Sequence, residues 1–391
     1  MEVVDQIGRA LSMSFGMFWE ILWALVLGFG LSAVVQAVVT RGEMESLFPD
    51  SKPITLLKAC ALGAASSSCS YAATAIARSM IKQGANFTSS IAFEFASTNL
   101  VIELGIILWL LIGWQFTLAE FLGGLIMVFI LAYLFKLFLK PQMLSDAKEE
   151  LAKGKHGKME GHAAMDMSVD PKIGGVWKRL LSKEGLTATS HYFAMDVASV
   201  WKDIVIGLLI SGALAAWVPH HFWQQFFLVG DQGILPKIWG AFIGPLVSML
   251  SFVCSIGNVP LAAVLWNGGI SFGGVISFIF ADLLILPILN IYRKYYGWKM
   301  MSFLFTTSYI AMVIAGLIIE FLFGAVHLIP ADRHAFVREA SVQFNYTTVL
   351  NGLFIIVASF LTIRFYRTGG QEMMKMMEMP PDEHGHHHCA H

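Results

Sequence analysis

The chain has 391 residues, 56% hydrophobic and 14% charged, with a mean hydropathy of +0.66; soluble domains run nearer ~45–50% apolar and about 25% charged, so an ordinary cytosolic enzyme is excluded. With 26 Lys+Arg against 27 Asp+Glu there is no basic surplus for phosphates, which excludes nucleic acid as a partner, and four Cys are too few for a disulfide scaffold. What remains is an all-α, polytopic protein whose first partner is the lipid bilayer, expected as a multi-pass protein of the plasma (inner) membrane.

Taken in chain order, the first fourteen residues carry Glu2, Asp5 and Arg9, which is no cationic leader. The apolar run that follows, 15–39, is too long for a signal core and reads as a retained first span. Further candidate spans are 54–80, 91–114, 118–138, 197–218, 238–266, 275–292, 303–328 and 349–365, which gives about 8–9 transmembrane helices. Two of them are irregular. The 54–80 run carries Ser66, Ser67, Ser68 and Ser70 around Cys69, and 238–266 carries Gly244, Pro245, Gly257, Asn258 and Pro260. Proline breaks the helical ladder, and irregular backbone survives at membrane depth only against protein or a water-filled cavity. Both runs therefore read as broken helices or re-entrant hairpins.

A polar segment divides the membrane part. The expected organisation is a first membrane repeat over 1–140, a Lys/His/Met-rich linker over 141–195, a second repeat over 196–330, an additional span over 331–368 and a disordered Met/His-rich tail over 369–391. Ten Lys/Arg lie between Lys136 and Lys183, which argues that this segment is cytoplasmic. Nine full spans then put Arg293, Lys294, Lys299, Arg364 and Arg367 on the wrong side, and a hairpin in either repeat changes that parity. The repeat itself rests on a single constant offset along the chain. It pairs Cys69-Ser70 with Cys254-Ser255, and Gly84, Phe87 and Ile91 with Gly269, Phe272 and Ile276, for nine identities in the 28 positions from Cys69 to Ala96. Secondary transporters are often built from such repeats, with the site in discontinuous helices at their interface.

The run CSIGNVPLAAVLWNGGISFG, from Cys254 to Gly273, and its first-repeat counterpart SSCSYAA, from Ser67 to Ala73, resemble the signature of the predicted permeases that include the ArsP-type organoarsenical efflux permeases. The resemblance covers roughly residues 15–330. It implies a permease that exports trivalent organoarsenicals and is not an enzyme.

The residues give that expectation a chemistry. Cys69 and Cys254 would supply soft thiolate ligands to a metalloid solute at the repeat interface. Ser67, Ser68, Ser70, Ser255, Asn258 and Pro260 beside them are the expected lining. The plain alternative is buried, inert thiols and close helix packing, which is the reading for Cys60, Gly63, Gly244 and Ser248. Glu94, Glu103 and Asp282 are intramembrane acids and candidate proton carriers, or else partners of bases such as Arg78 or Lys202. Glu20, Glu120, Asp203 and Glu320 lie nearer span ends and read as interfacial. His384, His386, His387, His388 and Cys389, with the Met-rich run before them, are candidate weak metal ligands, as is the cluster His156, Met159, His162, Met165 and Met167. No cofactor is expected, since phosphate-loop and HExxH motifs are absent from the sequence. The alternatives are a soft-metal or other small-solute permease, and a membrane enzyme or metal sensor. A homo-oligomer stays open.

Overall fold

The computed structural model describes residues 2–66, 68–153, 169–170, 173–217, 233–251, 255–331, 333 and 346–371, and these form helices with no strand among them. α1 (Glu2–Val38) has 37 residues, well beyond the ~20 that a membrane crossing needs. A capping box of Thr40 and Glu43 starts the short α2 (Arg41–Leu47).

α3 (Pro53–Ser66) and α4 (Ser70–Lys82) have 14 and 13 residues. At 1.5 Å per residue each is roughly 20 Å long, too short to cross the hydrocarbon core. α3 runs beside α5 (Phe87–Asn99) in the same direction. Ser89 Oγ donates to Asp50 O at one end of the pair, and Ser68 N donates to Ser97 O at the other. α4 runs back and joins α5 through a tight turn at Gly84, whose φ of 92° suits only a residue without Cβ. The chain therefore enters on α3, reverses at Ser68-Cys69 and returns on α4 to the face it left. After a break at Leu100-Val101, α5 continues as α6 (Ile102–Leu111), and α7 (Trp114–Phe138) returns across the bilayer.

α8 (Pro141–Lys153) and α9 (Val176–Leu180) precede α10 (Lys183–Trp217), which packs antiparallel to α1; Ser32 and Gln36 of α1 both donate to the buried Asp196. Next come α11 (Leu235–Ser251), α12 (Ser255–Asn267), α13 (Phe272–Phe280), a 3-10 turn (Ala281–Leu283) and α14 (Leu286–Ala325). α14 is two helices joined at Gly297, which has φ of 81°. α12 begins and ends as far beyond α4 as Cys254 lies beyond Cys69, and α13 begins at that same offset from the start of α5. Gly269 has φ of 102°, close to that of Gly84, and Asn86 and Ser271 cap the helices that follow these turns. α11 runs parallel to α13, with Gly240 against Ser271 and Gly244 against Gly274 and Phe278.

The two faces are identified by their contacts. On the first, Lys299 Nζ lies 3.6 Å from Asp146 of α8, and Phe135 packs between Phe87 and Phe303. The last helix, α15 (Tyr346–Arg367), ends there too, with Arg364 donating to Lys183 O at 2.8 Å. On the opposite face Lys237 Nζ lies 3.5 Å from Glu320, and Arg333 donates to the carbonyls of Trp266 and Ile270. The α3–α4 hairpin dips from the first face and the α11–α12 hairpin from the second. Arg293, Lys294, Lys299, Arg364 and Arg367 consequently share the first face with the basic residues of α8 and α9. The conflict left by nine full passages disappears, because 54–80 and 238–266 do not cross. Among the described residues, five helices are long and apolar enough to do so by length and composition.

Outward-facing side chains such as Ile102, Trp109, Leu110, Ile356 and Phe360 are apolar and exposed, as lipid contact requires. At its far end from α10, α15 is tied to α1 by Trp19 Nε1 donating to Thr348 Oγ1 at 3.2 Å and by the amide of Asn351. Asn351 Oδ1 accepts from Trp23 N at 2.9 Å, and its Nδ2 donates to Trp19 O at 2.6 Å. The side chain thus bridges the Trp23 N–H and the Trp19 carbonyl of one helical turn.

Candidate functional site

At mid-depth the ends of broken helices meet. The α3–α4 break leaves Ser68 and Cys69 extended, and Cys69, with φ −72° and ψ 162°, precedes α4 without capping it through its side chain. α1 crosses this break closely: a Cβ on Gly28 would lie 2.0 Å from that of Ala72. One residue on, Ser70 Oγ donates to Asp282 Oδ2 at 2.8 Å. Asp282 sits in the 3-10 turn after α13, fully buried, and Thr98 Oγ1 at the end of α5 approaches its other oxygen at 3.5 Å. The two helix breaks are therefore joined through a carboxylate of the second half that Ser70 and Thr98 of the first half hold.

A second buried acid lies toward the first face. Glu94 Oε1 accepts from Thr74 Oγ1 at 2.8 Å and from Tyr292 Oη at 2.7 Å, while its Oε2 has no hydrogen-bond partner. Thr74 Oγ1 also lies 2.8 Å from Ser70 O. Arg78, one turn further along α4, does not pair with Glu94. It lies over the ring of Tyr295 at 4.4 Å and within electrostatic reach of Asp196. Lys202 stands over Trp201.

Glu120 of α7 overturns its reading as an interfacial acid. Its exposure is 0%, and neither carboxyl oxygen has a hydrogen-bond partner. Glu320 is buried too, held by Gly273 N at 2.7 Å and by Lys237. Position near a span end misled in both cases, because other helices cover those ends. A better signal was the face itself: Phe116, Gly123, Gly124 and Met127 flank Glu120 at helical spacing, and small and large apolar residues at that spacing mark a packed face. Thr74, Thr98, Asn99 and Tyr292 were also missed, since a hydroxyl or amide inside an apolar run carries no charge to attract notice.

The remaining expected residues divide. Ser68 is buried at the break and Asn258 is buried on α12, where Nδ2 donates to Ser248 Oγ at 3.3 Å and Oδ1 has no partner. Ser255 opens α12 and Pro260 lies inside it. α6 carries Glu103 two positions after the Leu100-Val101 break, but its side chain is outside the described residues. Cys254 and Ser67 also lie outside them, as do His384, His386, His387, His388 and Cys389. Cys60 and Cys69 are buried thiols. Among the described residues no three His, Cys, Asp or Glu side chains converge on a metal position. Gly63 and Gly244 are packing positions: a Cβ on either would lie 2.5 Å from a carbonyl oxygen of the neighbouring helix.

Compared with known proteins, the chain matches the profile of the ArsP_1 family, described as predicted permease, over residues 6–321. It is 58% identical over 345 residues to Rv2963 of Mycobacterium tuberculosis (strain ATCC 25618 / H37Rv), a permease by name alone, covering 88% of this chain and 84% of that one. No solved structure matches.

Proposed function

Since the chain belongs to the predicted permease family and is a multi-pass membrane transporter, we propose that it is an ion-gradient-driven exporter of a small soft-ligand-seeking solute, with trivalent organoarsenicals as the solute class. The carrying observation is the meeting of two helix breaks at Ser70 and Asp282, beside Cys69 and among buried acids. In this reading the two membrane halves are inverted copies of one unit, each with a hairpin dipping from its own face. Such a pair can rock about the mid-depth contact and expose it alternately to either side. Basic residues mark the first face as cytoplasmic, so export runs from that face to the other.

Cys69 and Cys254 are the thiol ligands in this proposal, and Ser67, Ser68, Ser70, Ser255, Asn258 and Pro260 shape their surroundings. A trivalent arsenical binds by exchange onto thiolate, whereas serine offers a hard oxygen of similar shape. Cys69→Ser and Cys254→Ser should each lower methylarsenite efflux from everted vesicles by more than the roughly 10–100-fold that loss of a supporting contact costs a metal site. Cys60→Ser and Cys389→Ser should leave it near wild type, and arsenate should not be carried at all. Full methylarsenite flux in a variant lacking all four cysteines would falsify the thiol mechanism and leave a permease for another solute.

Coupling is assigned to Glu94, Glu103 and Asp282. Of Glu94→Gln, Glu103→Gln and Asp282→Asn, at least one should abolish pH-gradient-driven flux while the protein stays folded in the membrane. Unchanged flux and pH profile in all three would remove the acids from the coupling scheme. The runner-up, a soft-metal permease, rests on the His/Met-rich segments. It predicts that copper(I) or zinc flux, not methylarsenite flux, falls when the tail from 372 onward is deleted.

A further inference from the structure

We infer that Glu120 is a proton carrier, and that it forms with Asp282 and Glu94 a relay reaching from the outer half of the bilayer to the cytoplasmic half. The inference rests on the permease reading above and adds to it a residue and a direction.

The argument starts with cost. An ionised carboxyl with no hydrogen-bond partner and no exposure is one of the most expensive groups a protein can bury. Glu120 is such a carboxyl, and the charge acting on it is that of Asp282, an acid. Glu94 also lies within electrostatic reach of Asp282. Two neighbouring helix ends add to the negative potential. α5 ends at Asn99 and α13 at Phe280, and carbonyl ends of helices carry partial negative charge. Asn99 Oδ1, beside Thr98, is a further buried acceptor without a donor. This surplus of acceptors calls for a cation. The cation assigned to it is one held by a single carboxyl at a time, the proton.

Depth gives the relay its order. Glu120 is six residues from the outer end of α7, Glu94 seven residues from the cytoplasmic end of α5, and Asp282 lies between them. Ser70 Oγ on Asp282 and Thr74 Oγ1 on Glu94 are one helical turn apart on α4. Glu120 has no direct partner, so a proton arriving at its carboxylate passes to Asp282 through water, and water between the hydroxyls of Ser70 and Thr74 carries it on from Asp282 to Glu94. At each step one carboxyl loses the proton that the next gains.

Of the titratable groups on helices packed against α7, Arg293, Lys294, Tyr295, Tyr296 and Lys299 of α14 lie toward the first face, and Tyr309 donates to Phe242 O. Tyr292 of α14 donates to Glu94, and Glu320 of α14 is held by Gly273 N and Lys237. Lys58 of α3 is exposed, and α6 carries Glu103. Among the described side chains of these helices no base is directed at Glu120.

Infrared titration of the purified full-length protein in lipid tests the relay without any solute, so its failure and the failure of the permease assignment are separable. The probe is bulk pH, with sodium chloride exchanged for choline chloride at fixed ionic strength as the control. The wild type should show protonated-carboxyl absorption that titrates with pH and ignores sodium. Glu120→Gln should delete one titrating component. Glu120→Asp should keep it, and Ser70→Ala should alter the component belonging to Asp282. A Glu120→Gln spectrum that titrates as wild type overturns the inference, as does a Glu120 component that stays protonated at every pH or responds to sodium instead. Should Glu120→Gln fail to fold, the Glu120→Asp and Ser70→Ala titrations decide by the same criteria.

Discussion

In intact cells a membrane-impermeant maleimide should label Ala331→Cys fully and leave Lys148→Cys untouched until the membrane is opened, both placed in a background with the native cysteines replaced by serine. The expected contrast is all or none, because an inverted topology exchanges the two results. It follows from contacts that cannot be rearranged locally. Lys148 is exposed on α8, whose Asp146 meets Lys299, and α15 brings Arg364 to Lys183 on that same face. Ala331 is exposed two residues before Arg333, which is fixed to Trp266 O and Ile270 O at the other end of the bundle. Labelling of both positions from outside would show that the α11–α12 hairpin crosses the membrane after all, and labelling of Lys148→Cys alone would show the whole bundle inverted.

The second large effect belongs to Gly63. A Cβ there would lie 2.5 Å from Phe93 O, 2.9 Å from Ala96 Cβ and 3.0 Å from Ser97 N. Two of these atoms are backbone and cannot rotate away, so Gly63→Val must push α3 off α5. Overpacking a tight contact costs about 1–3 kcal/mol, and backbone displacement adds to it. The displacement reaches the site directly, because Ser68 N is bonded to Ser97 O one turn further on. Fluorescence-detected size-exclusion chromatography should show most of the Gly63→Val protein aggregated or absent. Gly30→Val should elute as wild type, since nothing lies within 4 Å of a Cβ at that position. Normal elution of Gly63→Val would mean that the α3–α5 contact is looser than the coordinates have it.

These two results bear on how much the sequence could reveal. Apolarity was sufficient to identify a polytopic helical protein, because hydrocarbon tolerates little else. The two odd segments were visible for a related reason: serine clusters and internal proline do not belong in a lipid-facing helix, and both segments fold as pairs of short helices. Whether an apolar run crosses or turns back was not visible. The 54–80 run is long enough to cross though less apolar than the clear spans, and only the pairing of α3 and α4 with α5 shows the reversal. The side of the membrane depended on that parity. Asp282 and Glu94 stood out as charges in apolar runs, whereas Glu120 was hidden by its nearness to a span end, a coordinate along the chain that says little about what covers it. The hydroxyl partners Ser70 and Thr74 have meaning only once α4 and the Asp282 turn are brought together across 212 residues of chain.

The amide of Asn351 has a consequence for biogenesis. Its two bonds, to Trp19 and Trp23, join α1 to α15, so the main chain of α1 acquires its full set of partners only when α15 arrives. Until then these groups of α1 have no partner outside their own helix, and docking of α15 adds one amide to both. The docked amide is a local record, carried on α1, that synthesis has passed residue 351.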